Sequence, residues 1–379
     1  MKIEQRFWTA DHGWVPNAPG TITEPVHLVF VFGATSVLHD NGHIERLKQI
    51  YPGAHIMGCS TAGEIGGTQV ADDSLVMTAI HFDSSRIEGV KVKLSEVNSS
   101  LHAGERLAQS LKVDGLVHVF VLSDGLKVNG SDLVKGLVKH LPKDVTVTGG
   151  LAGDGSRFQE TLVAWDGPAE PDTIAVLGLY GKRLRVGYGS LGGWDSFGPE
   201  RVVTRAEGNV LYELDGQSAL ELYKRYLGDH AKGLPASGLL FPLSLRSHET
   251  ETGVVRTILA VDEENHSMTF AGDIPVGSYA RLMKANFDRL IDGAVSAAKT
   301  SYQAIGASSV ELAILISCVG RKLVLKQRIE EEVEGVRSIL GDSTVLTGFY
   351  SYGEISPFRP SAKCELHNQT MTITTLSEL

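Results

Sequence analysis

The segment Gly58-Cys59-Ser60-Thr61-Ala62-Gly63-Glu64-Ile65 returns near the other end of the chain as Gly348-Phe349-Tyr350-Ser351-Tyr352-Gly353-Glu354-Ile355. Each copy follows an apolar run with strand character, His55-Ile56-Met57 in the first and Val345-Leu346-Thr347 in the second. Glycines at a strand end let the backbone turn sharply or approach a neighbour closely, because no Cβ restricts φ or fills the space. Two strands ending in the same device point to a duplicated unit, with two loops able to face one site.

The repetition extends past the octet. Upstream of each copy lies a strongly apolar strand, residues 26–32 and 310–317, followed by an amphipathic helix. The later helix carries Ile329, Val333, Val336 and Leu340 on one face and stops at Gly341. A weaker third copy lies between them. It has an apolar strand at 116–122, a helix capped by Ser131 and carrying Leu133, Leu137, Val138 and Leu141, and a short strand at 145–148. Its loop is Gly149-Gly150-Leu151-Ala152-Gly153-Asp154-Gly155. Further strands follow each loop, at 73–77, 172–176 and 368–373. The unit is strand, helix, strand, Gly loop, strand, at a spacing too long and uneven for a solenoid. The expected fold is α/β, with mixed sheets built from duplicated units and arranged in two halves.

A boundary is expected near residue 217, beyond a glycine-rich stretch at 187–198. After it come a helix at 217–227 closed by Gly228, two strands at 254–261 and 266–270 around Asp262-Glu263-Glu264-Asn265, and a long helix at 286–305. The division is residues 1–20 as an N-terminal extension, 21–216 as the first half and 217–379 as the second.

Composition narrows the classes. The chain has 379 residues, 42% apolar and 21% charged, which suits a globular protein of about two domains. A net charge of −10 with no basic run argues against nucleic acid as the partner. No apolar run reaches the roughly 18 residues of a membrane span, and the start lacks the charged-then-apolar order of a secretion signal. Cys59, Cys318 and Cys364 have no paired spacing, which fits a reducing compartment. A cytoplasmic location is expected, with no membrane partner.

Several motifs fail on context. Gly187-Tyr188-Gly189-Ser190-Leu191-Gly192 matches a dinucleotide fingerprint, but Gly193-Trp194-Asp195-Ser196-Phe197-Gly198-Pro199 follows where a helix must begin. No phosphate-binding P-loop, nucleophile elbow or zinc-protease signature is present. Within the loops, Glu64 and Glu354 either meet a cationic group or cap nearby amides. Cys59 and Cys318 read first as buried, inert thiols, since nothing places a histidine base beside them.

These residues carry a family resemblance. The chain resembles FIST-domain proteins, with both halves of that family represented. The strand at 26–32, Tyr51-Pro52, the first octet and Gly149-Gly150-Leu151-Ala152-Gly153-Asp154 suggest the N-terminal half. Phe241-Pro242-Leu243, Gly272-Asp273-Ile274-Pro275-Val276-Gly277-Ser278, Ser317-Cys318-Val319-Gly320-Arg321, Glu330-Glu331-Glu332, the second octet and Leu366-His367-Asn368-Gln369-Thr370 suggest the C-terminal half. The resemblance covers residues 20–379 and implies a non-catalytic ligand-input module of intracellular signalling.

Stand-alone members of this layout are similar to nitric-oxide-sensing haemoproteins. That implies haem b as cofactor, and a separate histidine kinase or cyclic-di-GMP synthase or phosphodiesterase as partner. His367, inside a family-like motif at the start of the last strand, is the first candidate for the axial ligand, ahead of His81, His55 and His248. Nitric oxide would then weaken the axial bond and shift a conformational equilibrium. The alternative is a haem-free receptor for a small metabolite such as an amino acid, with Glu64 or Glu354 on the ammonium and Arg321 or backbone amides on the carboxylate. The expected ligand-binding set is Gly58, Cys59, Ser60, Gly63, Glu64, Cys318, Arg321, Gly348, Tyr350, Gly353, Glu354 and Asn368. An enzyme using Cys59 or Cys318 is the third class. The oligomeric state stays open, a homodimer among the options.

Overall fold

Each glycine loop ends the second of two parallel strands, and that pair occurs three times. The computed structural model describes residues 1–246, 253–306, 309–358 and 362–379. The pairs are Leu28–Gly33 with His55–Ser60, Leu116–Ser123 with Thr146–Leu151, and Leu312–Cys318 with Val345–Ser351. A closing strand runs antiparallel to the first member of each: Ser74–His81, Thr173–Tyr180 and Met371–Glu378. An outer strand flanks it in turn: Lys2–Thr9, Arg86–Lys93 and Leu184–Leu191. The result is three mixed six-stranded sheets, as the α/β reading expected.

The strands after the loops leave their own copy. Glu64–Gly66, from copy one, pairs with Val345–Ser351 of copy three. Gly353–Pro357, from copy three, pairs with Thr146–Leu151 of copy two. Val163–Trp165, from copy two, pairs with His55–Ser60 of copy one. The exchange is a closed cycle that covers one edge of every sheet, and an open edge is a site for unwanted pairing. The repeat is therefore threefold, with the weak middle copy a full member.

The inner faces of all three sheets meet in one apolar core. Phe30 packs edge-on to Phe120 at 5.4 Å, and Phe32 packs against Phe349 at 4.8 Å, so each copy supplies an aromatic ring. Outer faces are covered by helices: Ser100–Ser110 and Gly130–His140 on copy two, Phe287–Ile305 and Ile329–Leu340 on copy three. Copy one has Gly42–Ile50, with Trp8 and Trp14 packed on His43 of that helix. Residues 2–9 of the N-terminal segment are thus an integral outer strand.

The fingerprint-like glycines have a packing role. They lie in the outer strand Leu184–Leu191, where a Cβ on Gly187 or Gly189 would come within 3.0 Å of carbonyl oxygens of helix Phe287–Ile305. Glycine lets that helix rest directly on the strand.

Between that strand and that helix, residues 195–284 form an inserted eight-stranded antiparallel sheet with its own core around Val203, Tyr223, Phe270 and Leu282. Residue 217 lies inside this sheet, between Val210–Leu214 and helix Ala219–Leu227. The expected hairpin is partly re-paired. Ile258–Asp262 joins Ser267–Phe270, whereas Val254–Arg256 joins Leu243–Arg246. Among the described residues no helix is long and apolar enough to cross a membrane.

Candidate functional site

The three loops meet at one end of the body. Gly153 N–H donates to Ser60 O at 2.9 Å, Ala62 N–H to Tyr350 O at 2.8 Å, and Tyr352 N–H to Leu151 O at 3.3 Å. Each copy donates to a different neighbour, so these bonds also form a cycle. Gly58, Gly149 and Gly348 make the approach possible, since a Cβ at any of them would fall within 3.0 Å of the carbonyl oxygen of Val31, Val121 or Leu315. Gly63 and Gly353 stand equally close to Lys322 and Leu151. The two octets do share a place, joined there by the third loop, but they are packed against one another. Cys59, Ser60, Glu64, Tyr350 and Glu354 are all buried.

The octet glutamates act as internal caps. Glu64 accepts from Thr61 Oγ1, from Ser74 N at 3.2 Å and from Ser74 Oγ at 2.6 Å. Glu354 repeats this with Ser351 Oγ at 2.5 Å, Thr370 N at 3.2 Å and Thr370 Oγ1 at 3.0 Å. Both tie a loop to the start of its closing strand.

Burial, outweighing these donors, pushes Glu64 up to about 7 and Glu354 up to about 8. The folded chain therefore holds these two protons more tightly than the unfolded chain, and the stability they confer is lost as pH rises from 4.5 through those values. Burial has the opposite consequence for His118, pushed down to about 3, and His367, pushed down to about 4. Stability from neutral imidazole is lost as pH falls from 6.5 towards those values. The two effects oppose one another between pH 4.5 and 6.5. Denaturant titrations across pH are expected to show a maximum in that window. Glu354→Gln should flatten the alkaline limb, and an unchanged slope there would contradict the assignment.

The remaining expected ligands are also committed internally. Arg321 is fully buried. It donates from Nε and Nη2 to Glu332 Oε2 at 3.1 and 2.7 Å, from Nη1 to Gly192 O at 2.7 Å and from Nη2 to Leu290 O at 2.7 Å. Tyr350 OH donates to Glu332 Oε1 at 2.6 Å. Burial raises the thiol pKa of both Cys59 and Cys318, which disfavours the nucleophilic thiolate. Asn368 donates to Tyr352 O at 3.3 Å.

His367 donates from Nε2 to Ser356 O at 2.9 Å, an arrangement that metal-bound histidines share. Its surroundings do not fit a haem. The ring is 3% exposed, lies 5.7 Å from the Phe358 ring and feels the positive charge of Arg256, which disfavours a cation beside it. A cleft of about 180 Å³ lies elsewhere, between Asn41, Lys48 and Asp166. His55 and His81 are partly exposed and paired with Asp166 and the Pro25 carbonyl, and His248 lies outside the described residues.

The unspent chemistry lies at the seam where the inserted sheet meets the loop end. Trp194 Nε1 donates to Gln369 O at 2.9 Å, and Gln369 Nε2 donates to Leu239 O at 3.0 Å and Thr257 Oγ1 at 3.1 Å. Arg256 Nη1 donates to Leu366 O at 2.9 Å. Asp273 accepts from Asn129 Nδ2 at 2.9 Å and Lys135 Nζ at 2.6 Å. Gln369 has φ of +65°, is fully buried, and its Oε1 has no hydrogen-bond partner among the described residues. It presses on Gly320, where a Cβ would come within 3.0 Å of the amide. Asp73 and Asp172, which precede the other closing strands, share the positive φ. Gln369 is the member of this trio turned to the inserted sheet.

Sequence reasoning gave Asn368 and His367 site roles, quoted Gln369 only within a motif and Ser131 only as a helix cap, and missed Arg256 and Asn129. The signal for Asn129 was present. It, rather than Ser131, caps helix Gly130–His140, accepting from Asp132 N at 3.1 Å.

Residues 27–217 match the FIST N domain and residues 219–357 match the FIST C domain. The chain belongs to the FIST family, whose domains generally sense small ligands in signal transduction. It is 25% identical over 327 residues to a protein of Methanocaldococcus jannaschii described only as uncharacterized. That match covers 76% of this chain and 60% of the relative, so the chain spans about three fifths of the relative's length. Among solved structures, cyanuric acid hydrolase from A. caulinodans aligns over 78% of this chain and 99% of its own. At 10% identity and a TM-score of 0.19, that likeness carries no argument.

Proposed function

We propose that this chain is a haem-free small-ligand sensor whose ligand enters the seam between the inserted sheet and the loop end. The observation that carries the reading is Gln369, the buried member of the positive-φ trio, whose amide oxygen has no hydrogen-bond partner among the described residues. Strain and an unmet hydrogen bond at one buried residue are costly and concentrate where a structure must respond to something. The segments that carry the family resemblance support the same place. The stretch opening Gly272-Asp273 and Leu366-His367-Asn368-Gln369-Thr370 border the seam, whereas Phe241-Pro242-Leu243 packs inside the inserted sheet.

On this reading the glycine loops and Arg321 are the rigid frame, and the inserted sheet is the part that moves. A ligand that binds one setting of the sheet better than another shifts the population between them. A separate histidine kinase or cyclic-di-GMP enzyme, as the family resemblance implies, would read that shift.

The test is a thermal-shift screen of amino acids and other small metabolites on the colourless protein. A ligand at a hundredfold its Kd adds about 2.7 kcal/mol of stability. Gln369→Ala is expected to abolish a hit's shift, read against the variant's own lower baseline, because it also removes the two buried hydrogen bonds to Leu239 O and Thr257 Oγ1. A Soret band in protein expressed with ample haem, moving on addition of nitric oxide, would return the reading to a haem sensor.

A further inference from the structure

The inserted sheet hangs from the body by two adjacent strands, Asp195–Glu207 and Tyr279–Lys284, paired at Asp195 and Lys284. Away from that stalk, its hold on copy two is polar. The Asp273 carboxylate sits at the amino end of helix Gly130–His140, held by Asn129 and Lys135. Burial alone would raise its pKa, but these two donors, helped by the charges of Lys135 and Arg256, outweigh burial and hold it below the ordinary aspartate value.

Two neighbours lack what the chain could have supplied. Ser131, in the first turn of that helix, is 9% exposed, and its Oγ has no hydrogen-bond partner among the described residues. Arg256, 8% exposed, donates among the described residues to the neutral carbonyls of Leu366 at 2.9 Å, Asp273 at 3.2 Å and Val255 at 3.4 Å, and meets the Asp273 and Glu365 carboxylates through space without a hydrogen bond. The two converge, because a Cβ on Gly272 would stand 2.9 Å from both Ser131 Oγ and Arg256 Nε. A buried hydroxyl without a partner and a buried guanidinium bonded to no acid both cost free energy. An anion at this corner relieves both, and a helix amino end favours it further.

We propose that this corner is the carboxylate subsite of the sensed ligand, and that Asp273 is a tethered stand-in which the ligand's carboxylate displaces. The proposal rests on the sensor reading above and deepens it. The donors already hold a planar two-oxygen anion, since Asp273 uses Asn129 for one oxygen and Lys135 for the other. An arriving carboxylate takes those donors and gains direct hydrogen bonds from Ser131 and Arg256, where Asp273 has only the Arg256 charge through space. Asp273, expelled, releases the inserted sheet from copy two and leaves it held by its stalk and by the Gln369 and Arg256 bonds to copy three. Competition from the tethered carboxylate weakens the ligand's apparent affinity, because only the released fraction is competent to bind.

The experiment titrates the full chain with acetate, and in a second arm with inorganic phosphate, following Trp fluorescence and calorimetry. Asp273→Asn is expected to tighten acetate binding by about tenfold or more. Ser131→Ala should weaken it severalfold without lowering the melting temperature. Unchanged acetate affinity in Asp273→Asn overturns the proposal, as does phosphate binding tighter than acetate, which would move the ligand to the phosphate class. If Asp273→Asn does not fold, Ser131→Ala decides in the otherwise native chain, and equal affinity there overturns the subsite. A metabolite hit that bears no anion and is indifferent to Asp273→Asn sinks the subsite but leaves the sensor reading standing. A metabolite screen without any hit sinks the sensor reading itself.

Discussion

Glu332→Ala is expected to remove about 3–5 kcal/mol of stability, the usual cost of taking one partner from a buried ion pair. Both side chains of the Arg321–Glu332 pair are 0% exposed, so solvent does not screen the loss. The substitution leaves a guanidinium charge in the core with only the Gly192 and Leu290 carbonyls, and it strips the acceptor from Tyr350 OH and Ser317 Oγ. Against a total stability of about 5–15 kcal/mol, that is a large fraction. Because Gly192 adjoins the stalk of the inserted sheet, amide exchange across 195–284 should also quicken. Arg321→Met combined with Glu332→Leu should recover most of the loss, since replacing both charges by apolar groups is often near neutral. Denaturant unfolding decides it, and a loss below about 1 kcal/mol for Glu332→Ala would mean that the pair contributes no more than a surface ion pair.

The frame was largely legible from local sequence, whereas the seam was not, for reasons that differ by residue. Gly58 and Gly348 announce themselves because a strand that must admit a neighbour's carbonyl tolerates no Cβ, and that need writes glycine twice in one context. The middle copy is blurred because its exchanged strand, Val163–Trp165, starts well beyond Gly153, so no Glu-Ile follows the loop. The exchange itself leaves no local trace. Glu64–Gly66 pairs with Val345–Ser351, and nothing in either segment specifies so distant a partner. The octet glutamates invite a receptor reading because sequence shows their charge but hides the hydroxyls of Ser74 and Thr370 that occupy them. Arg256 and Asp273 stayed hidden for the converse reason. Each sits in an ordinary strand or turn context, and only the tertiary fold brings both to the amino end of helix Gly130–His140.

Gly348→Ala should be at least as damaging as the loss of the buried ion pair. Inserting a methyl group into a well-packed interior usually costs about 1–3 kcal/mol and more where the neighbour is backbone. Here the neighbour is the Leu315 carbonyl oxygen, which a Cβ would meet well within 3.0 Å. Relief by separation is blocked on both sides. Gly348 pairs with Leu315 in the parallel ladder and with Ile65 of the exchanged strand from copy one, so moving away from one partner drives it into the other. The damage should also spread, because that exchanged strand is one link of a closed cycle through all three sheets. Unfolding should remain a single transition at a much lower denaturant midpoint, without a surviving copy. Gly67→Ala supplies the control. Its φ of +57° also disfavours a side chain, but nothing lies within 4 Å of the added methyl, so it should cost only about 1 kcal/mol. If the two variants unfold at the same midpoint, the octet glycine serves backbone conformation alone and the close approach of the strands is not what requires it.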